Sequence, residues 1–146
     1  MSEQPQTAAS ACSPQVHSQA LGSFSVEDMS NLSQHLHFFD FDEGELVMQN
    51  GEVATWVGIV LSGELAATAG GQVVGRMTAG KVVGELAFFA GGTRHADVLG
   101  ARDGLIAFIM MPNLEELFES CPQTATKLVR AFGASSVAQL AHNLNP

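Results

Sequence analysis

Gly80-Lys81-Val82-Val83-Gly84-Glu85-Leu86-Ala87-Phe88-Phe89-Ala90-Gly91-Gly92-Thr93-Arg94-His95-Ala96-Asp97-Val98 is the stretch on which the reading of this chain turns. It sets one carboxylate, Glu85, nine residues before one guanidinium, Arg94. An apolar turn lies between them, with glycines at both of its ends. Gly84 carries no side chain, so its backbone can approach a ligand closely. Residues 85–90 have room for one helical turn, whose first N–H groups would point outward as an anion site. Glu85 can accept hydrogen bonds from a ribose 2′-hydroxyl, and Arg94 can clamp phosphate oxygens in the bidentate way that lysine cannot match. Such hydrogen bonds contribute about 1.5–3 kcal/mol each, so two or three support roughly micromolar binding. These groups suit a small ligand with a vicinal hydroxyl at one end and an anion at the other. A sugar phosphate fits, and a cyclic nucleotide fits best. The plainer alternative is an ion pair between Glu85 and Arg94 across the turn, and an isolated Gly-Glu-Leu does not exclude it.

Outward from this cassette, the chain from Phe38 onward is punctuated by glycines at 44, 51, 58, 63, 70, 71, 75, 80, 84, 91, 92, 100 and 104. Short apolar runs between closely spaced turn signals predict a β-sandwich or barrel. Residues 56–61 read as a fully buried strand, and 98–99 and 105–110 as later strands. Gly70-Gly71 is a two-residue hairpin turn between strands at 64–69 and 72–77. Helical periodicity appears on both flanks. Ser25 and Asp28 resemble a capping box, and Val26, Met29, Leu32 and Leu36 then predict a helix over 26–36. A short amphipathic helix is expected over 113–120. A longer one over 122–144 opens at Pro122, which suits a first helical position, and Gly133, Ser135 and Ser136 weaken its middle. Thr124 and Thr126 are expected to be solvated or capping. Residues 1–22, rich in Ser, Ala, Gln and Thr, read as a flexible tail, and 23–146 as one domain. The fold class expected is mainly β with flanking helices.

Composition narrows the partners. Fifteen acidic residues against six Lys and Arg give a formal net charge of −9. Nucleic acids and anionic membrane surfaces need clustered cations, so neither is expected as a partner. An anionic ligand is still admissible, because exposed charges farther than about 8 Å are largely screened at physiological salt. No apolar run reaches the roughly 18 residues of a membrane span. The N-terminus has neither a basic start with an apolar core nor the arginines of a presequence, which makes cytoplasm the expected compartment. Cys12 and Cys121 are read as two reduced thiols.

The ordered landmarks Phe41-Asp42-Glu43-Gly44-Glu45-Leu46, Gln49-Asn50-Gly51, Leu61-Ser62-Gly63-Glu64-Leu65, Gly80 to Ala87 and Arg94 to Val98 together resemble the cyclic nucleotide-binding domain family. This family comprises the regulatory modules of catabolite activator-like proteins, cyclic-nucleotide-dependent kinases and cyclic-nucleotide-gated channels. The resemblance covers roughly residues 25–144. It implies a double-stranded β-helix, a jelly-roll-like β-roll, with one N-terminal helix, two C-terminal helices and a phosphate-binding cassette at 84–98. It further implies that Glu85 holds the ribose 2′-hydroxyl, that Arg94 holds the cyclic phosphate, and that backbone groups of Gly84, Leu86 and Ala87 assist. The last helix of such domains often closes over the base, which makes Arg130, Ser135 and Ser136 candidate base contacts. The ligand implied is cAMP or cGMP, with no other cofactor and no metal. The module would be a monomer or weak dimer acting on a protein partner, or on an effector domain of a longer protein.

Three positions depart from the family pattern. His95 follows the arginine where Ser, Thr or Ala is common. It either offers an imidazole N–H to the phosphate or points away. Asp97 stands where a small neutral residue is commoner, sharing a strand face with His95 and able to pair with it. Thr93 replaces the usual proline. His95 and Asp97 favour the alternative of a fold that binds no nucleotide and serves as a protein-interaction scaffold. A third reading, a metal-binding cupin, draws on His35 and His37 with Glu43 or Glu45, but the second cupin motif is missing. Trp56 and the Phe38-Phe39 and Phe41 cluster read as core, and Phe88-Phe89 as packing for the cassette turn. No Ser/His/Asp or Cys/His set points to an enzyme.

Overall fold

The computed structural model describes residues 24–144, with side chains described as far as 134. The expected tail at 1–22 and the side chains of Ser135 and Ser136 lie outside the described residues.

Helix α1 (Val26–Ser33) opens with the capping box that the sequence announces. The Ser25 hydroxyl accepts from the Asp28 N–H at 3.0 Å, and the Asp28 carboxylate accepts from the Ser25 N–H at 3.0 Å. These bonds satisfy donors that a helix start leaves unpaired. The helix ends three residues before the expected position. His37 must already be extended, because it begins strand β1 (His37–Phe41) opposite Phe108.

The remaining strands are β2 (Leu46–Met48), β3 (Trp56–Ala69), β4 (Gln72–Thr78), β5 (Val82–Val83) and β6 (Asp97–Met110). They form one six-stranded antiparallel sheet in the order β1-β6-β3-β4, with β2 also on β6 and β5 also on β3. The Gly70-Gly71 turn is as expected, with φ of 61° and 80° and Ala69 opposite Gln72. Positive φ at both central residues matches the twist that a two-residue hairpin needs.

The two late strands expected at 98–99 and 105–110 are one continuous strand. Gly100 and Gly104 interrupt the apolar pattern but not the backbone. An added Cβ at either would run into a backbone carbonyl, of Asp42 or of Ser62. These glycines mark close chain approach within a sheet, a second use of glycine that sequence punctuation does not separate from a turn.

Side-chain parity explains the two cores. Val57, Ile59 and Leu61 of β3 face a cluster with Leu32, Leu114, Leu117, Leu128 and Phe132 of the helices. Val60 faces the other cluster, inside the roll, with Met48, Val83, Val98 and Ile106. Leu65 is odd-numbered like Leu61, yet it lies in that inner cluster. The β3–β6 register shifts around Ser62 and Glu64 reverse the alternation, as an unpaired residue in a ladder must.

The cassette helix α2 (Glu85–Ala90) lies between β5 and β6. After β6 come α3 (Met111–Ser120) and α4 (Pro122–Leu144). Thr124 departs from expectation: it is 2% exposed and donates to Asp28 Oδ1 at 2.6 Å. Lys127 Nζ donates to Asp28 Oδ2 at 2.5 Å. One buried carboxylate therefore fastens α1 to the first turns of α4.

Candidate functional site

The cassette begins at Gly84, which caps α2 with φ +83°. Glycine adopts that conformation with the least strain of any residue. Space adds a second demand, since a Cβ here would stand 2.5 Å from both Arg94 Nη1 and Met48 Cε. Gly91, at φ +71°, closes the helix, and its N–H and that of Gly92 reach back to Phe88 and Ala87 carbonyls. Within α2, Glu85, Ala87 and Phe88 are buried, whereas Leu86 is 69% exposed.

Arg94 is fixed first through its backbone. Its N–H donates to the Glu52 carbonyl at 2.8 Å, and its carbonyl accepts from the Gly51 N–H at 2.9 Å. Ala54 donates to Gly92 at 3.1 Å, and Val53 bridges Thr93. This short ladder between 51–54 and 92–94 turns the Arg94 side chain inward, where it is only 4% exposed. Nη1 donates to the Gly84 carbonyl at 2.8 Å and Nη2 to the Trp56 carbonyl at 2.5 Å. Its Cζ lies 5.2 Å from the centroid of the Trp56 ring. Burial pushes the Arg94 pKa down, while the Glu52 and Glu85 carboxylates act in the opposite direction. A guanidinium starts so far above neutrality that it stays charged. Glu85, 6% exposed, is the buried carboxylate of the same turn.

The structure thus brings Gly84, Glu85 and Arg94 to one place, with Leu86 and Ala87 in the same helix. His95 is exposed. Asp97 is engaged elsewhere than the sequence offered: its Oδ1 accepts from the Asn50 N–H at 2.8 Å, tying the start of β6 to the loop before the ladder. Arg130 is exposed on α4. Phe89 lies 6.0 Å, ring to ring, from Phe132, linking the cassette helix to α4. His35 and His37 face α3: His35 lies 3.6 Å from Glu116, and His37 Nε2 lies 3.1 Å from the Asn113 side-chain oxygen. Among the described residues, no three metal-ligating side chains come together.

The sequence presents Trp56 only as a core residue. It is half-buried at the start of β3, and both its carbonyl and its ring serve Arg94. Its sequence position, at the start of β3 and 38 residues before Arg94, carries no signal of that contact.

Residues 38–121 match the family model described as the cyclic nucleotide-binding domain, over more than half of the chain. A search among curated proteins gives no match. Solved structures share the fold. A cyclic nucleotide-binding domain from Methylobacillus flagellatus KT is 18% identical, with 93% of this chain and 80% of that one covered at a TM-score of 0.83. The catabolite activator protein of Thermus thermophilus is 19% identical, with 91% and 62% covered at 0.68. The c-di-GMP responsive global regulator CLP of Xanthomonas campestris is 22% identical, with 80% and 60% covered at 0.69.

Proposed function

The chain belongs to the cyclic nucleotide-binding domain family, and from that premise we propose that it is a regulatory module that binds cAMP or cGMP and is not an enzyme. The observation that carries this reading is the burial of Glu85 and Arg94 together at the Gly84 turn. Two buried charges are expensive to keep out of water. A site that meets a hydroxyl with one and a phosphate with the other gives them a use beyond mutual neutralisation. In this reading Glu85 accepts from the ribose 2′-hydroxyl, Arg94 donates to the cyclic phosphate, and backbone groups of Gly84, Leu86 and Ala87 complete the contact. The bonds to Gly84 and Trp56 engage only part of the guanidinium's donor set, so Arg94 can hold an anion while remaining anchored. Ligand contacts favouring one position of α4 would shift that helix, and the Phe89–Phe132 contact supplies a route from cassette to helix. Ser135, Ser136 and Arg130 remain the proposed base contacts. The output would be a protein partner or an effector domain, with the module a monomer or weak dimer in the cytoplasm. No helix among the described residues is long and apolar enough to cross a membrane.

A second reading, an interaction scaffold that binds no nucleotide, is favoured by one observation: both terminal nitrogens of Arg94 already donate to backbone carbonyls, of Gly84 and of Trp56. Calorimetric titration with cAMP, cGMP and cyclic di-GMP separates the readings. Saturable binding of cAMP or cGMP that Arg94→Ala abolishes and Glu85→Ala weakens is the expected result. No heat at millimolar cAMP and cGMP would leave the scaffold.

A further inference from the structure

We infer that Trp56 is the positioning residue of Arg94: its indole face holds the guanidinium at the height where the cassette can present it to an anion. The inference rests on the nucleotide-binding reading above and assigns this chain's only tryptophan to it. The geometry is complementary. Arg94 Cζ stands over the ring, 5.2 Å from its centroid, so the cation lies above the negative face of the indole. The hydrogen-bonding edge of the guanidinium stays available, and there Nη1 and Nη2 reach the carbonyls of Gly84 and Trp56. The ring and the two carbonyls thus hold one guanidinium from different sides of the site, in a planar, fixed fork that a flexible ammonium does not reproduce.

The indole is itself held. Its ring lies 5.3 Å from that of Phe108, tilted by 57°, and Phe108 lies 5.3 Å from the His37 ring. The row crosses three neighbouring strands, β3, β6 and β1, through ladder pairs that fix its register: Trp56 with Met110, and His37 with Phe108. Arg94 therefore rests on a support anchored in the sheet rather than on a loop. An aliphatic residue at position 56 would keep the carbonyl, but it would offer the buried cation no compensating face.

The test compares Trp56→Phe and Trp56→Leu with the native protein, by calorimetry against cAMP and cGMP and by thermal melting. Trp56→Phe keeps an aromatic face and should bind within about threefold of the native protein. Trp56→Leu should bind about tenfold more weakly, within the range of a cation–π contact, and should melt below Trp56→Phe, because the buried cation loses the same contact in the free protein. Equal affinity of the two variants overturns the inference. Intrinsic emission supplies a measurement that needs no ligand. Trp56 should emit differently in Arg94→Lys than in the native protein, and identical spectra overturn the inference as well. If the native protein binds neither cAMP nor cGMP, the nucleotide reading falls on that result alone. The emission comparison then still decides whether Arg94 rests on Trp56.

Discussion

Arg94 is held by a set of small constraints, each of which a substitution can remove separately. Gly84→Ala forces a Cβ into an αL position and against Arg94 Nη1. It should lower stability by more than about 1 kcal/mol and weaken cyclic nucleotide binding together with it, read by denaturant unfolding and calorimetry on the same sample. Arg94→Ala leaves the Gly84 and Trp56 carbonyls without these donors. It should cost about 1–3 kcal/mol of stability in addition to any ligand affinity. Asp97 behaves differently. Its carboxylate is engaged by the Asn50 N–H, so Asp97→Asn, which keeps an acceptor oxygen, should leave affinity within about threefold. A large gain in affinity would mean that Asp97 faces the phosphate after all. At this scale the sequence showed the charged pair and its glycine, because both lie within one short segment. It did not show the Trp56 support or the Asn50 partner, which come from segments brought together only by the sheet.

Elements are joined by the Asp28 clamp, which lies far from the cassette in sequence. The Lys127 ammonium, then the Thr124 hydroxyl and the Ser25 N–H, hold the Asp28 carboxyl well below the usual carboxylate range, against a smaller opposing effect of burial. Because the folded pKa lies below the unfolded one, this stabilisation is complete above the ordinary value of 3.8 and is lost as pH falls below it. Asp28→Asn should therefore be less stable than the native protein by about 1.5–3 kcal/mol at neutral pH. The gap should narrow as the pH drops below about 4, followed by thermal melts across an acid series. A gap that does not change with pH would show that Asp28 acts through shape alone. Helical periodicity located α1, α3 and α4, and the capping box located the start of α1, because these signals are local. Thr124 reads in the sequence as solvated or capping because the carboxylate that buries it stands 96 positions away. The single strand β6 read as two because its glycines serve close backbone approach in the middle of a sheet.

The whole molecule carries its cations sparingly. Arg76 and Arg102 both lie on Glu64, Lys127 lies on Asp28, and Arg94 is buried. With fifteen acidic residues against six Lys and Arg the outer field is acidic, while the proposed ligand is an anion. Raising ionic strength from about 10 mM to about 150 mM screens that field and should speed association of cAMP or cGMP, measured by stopped flow. A rate that falls with salt would show that the local field of Arg94 governs the approach. The Gly70-Gly71 hairpin carries a consequence of another kind. Added Cβ atoms at either glycine would meet no neighbour within 4 Å, and the turn joins β3 to β4 at the outer end of the sheet order. It is a natural port for grafting a foreign domain, such as a circularly permuted fluorescent protein, whose brightness would then report on strain in the roll.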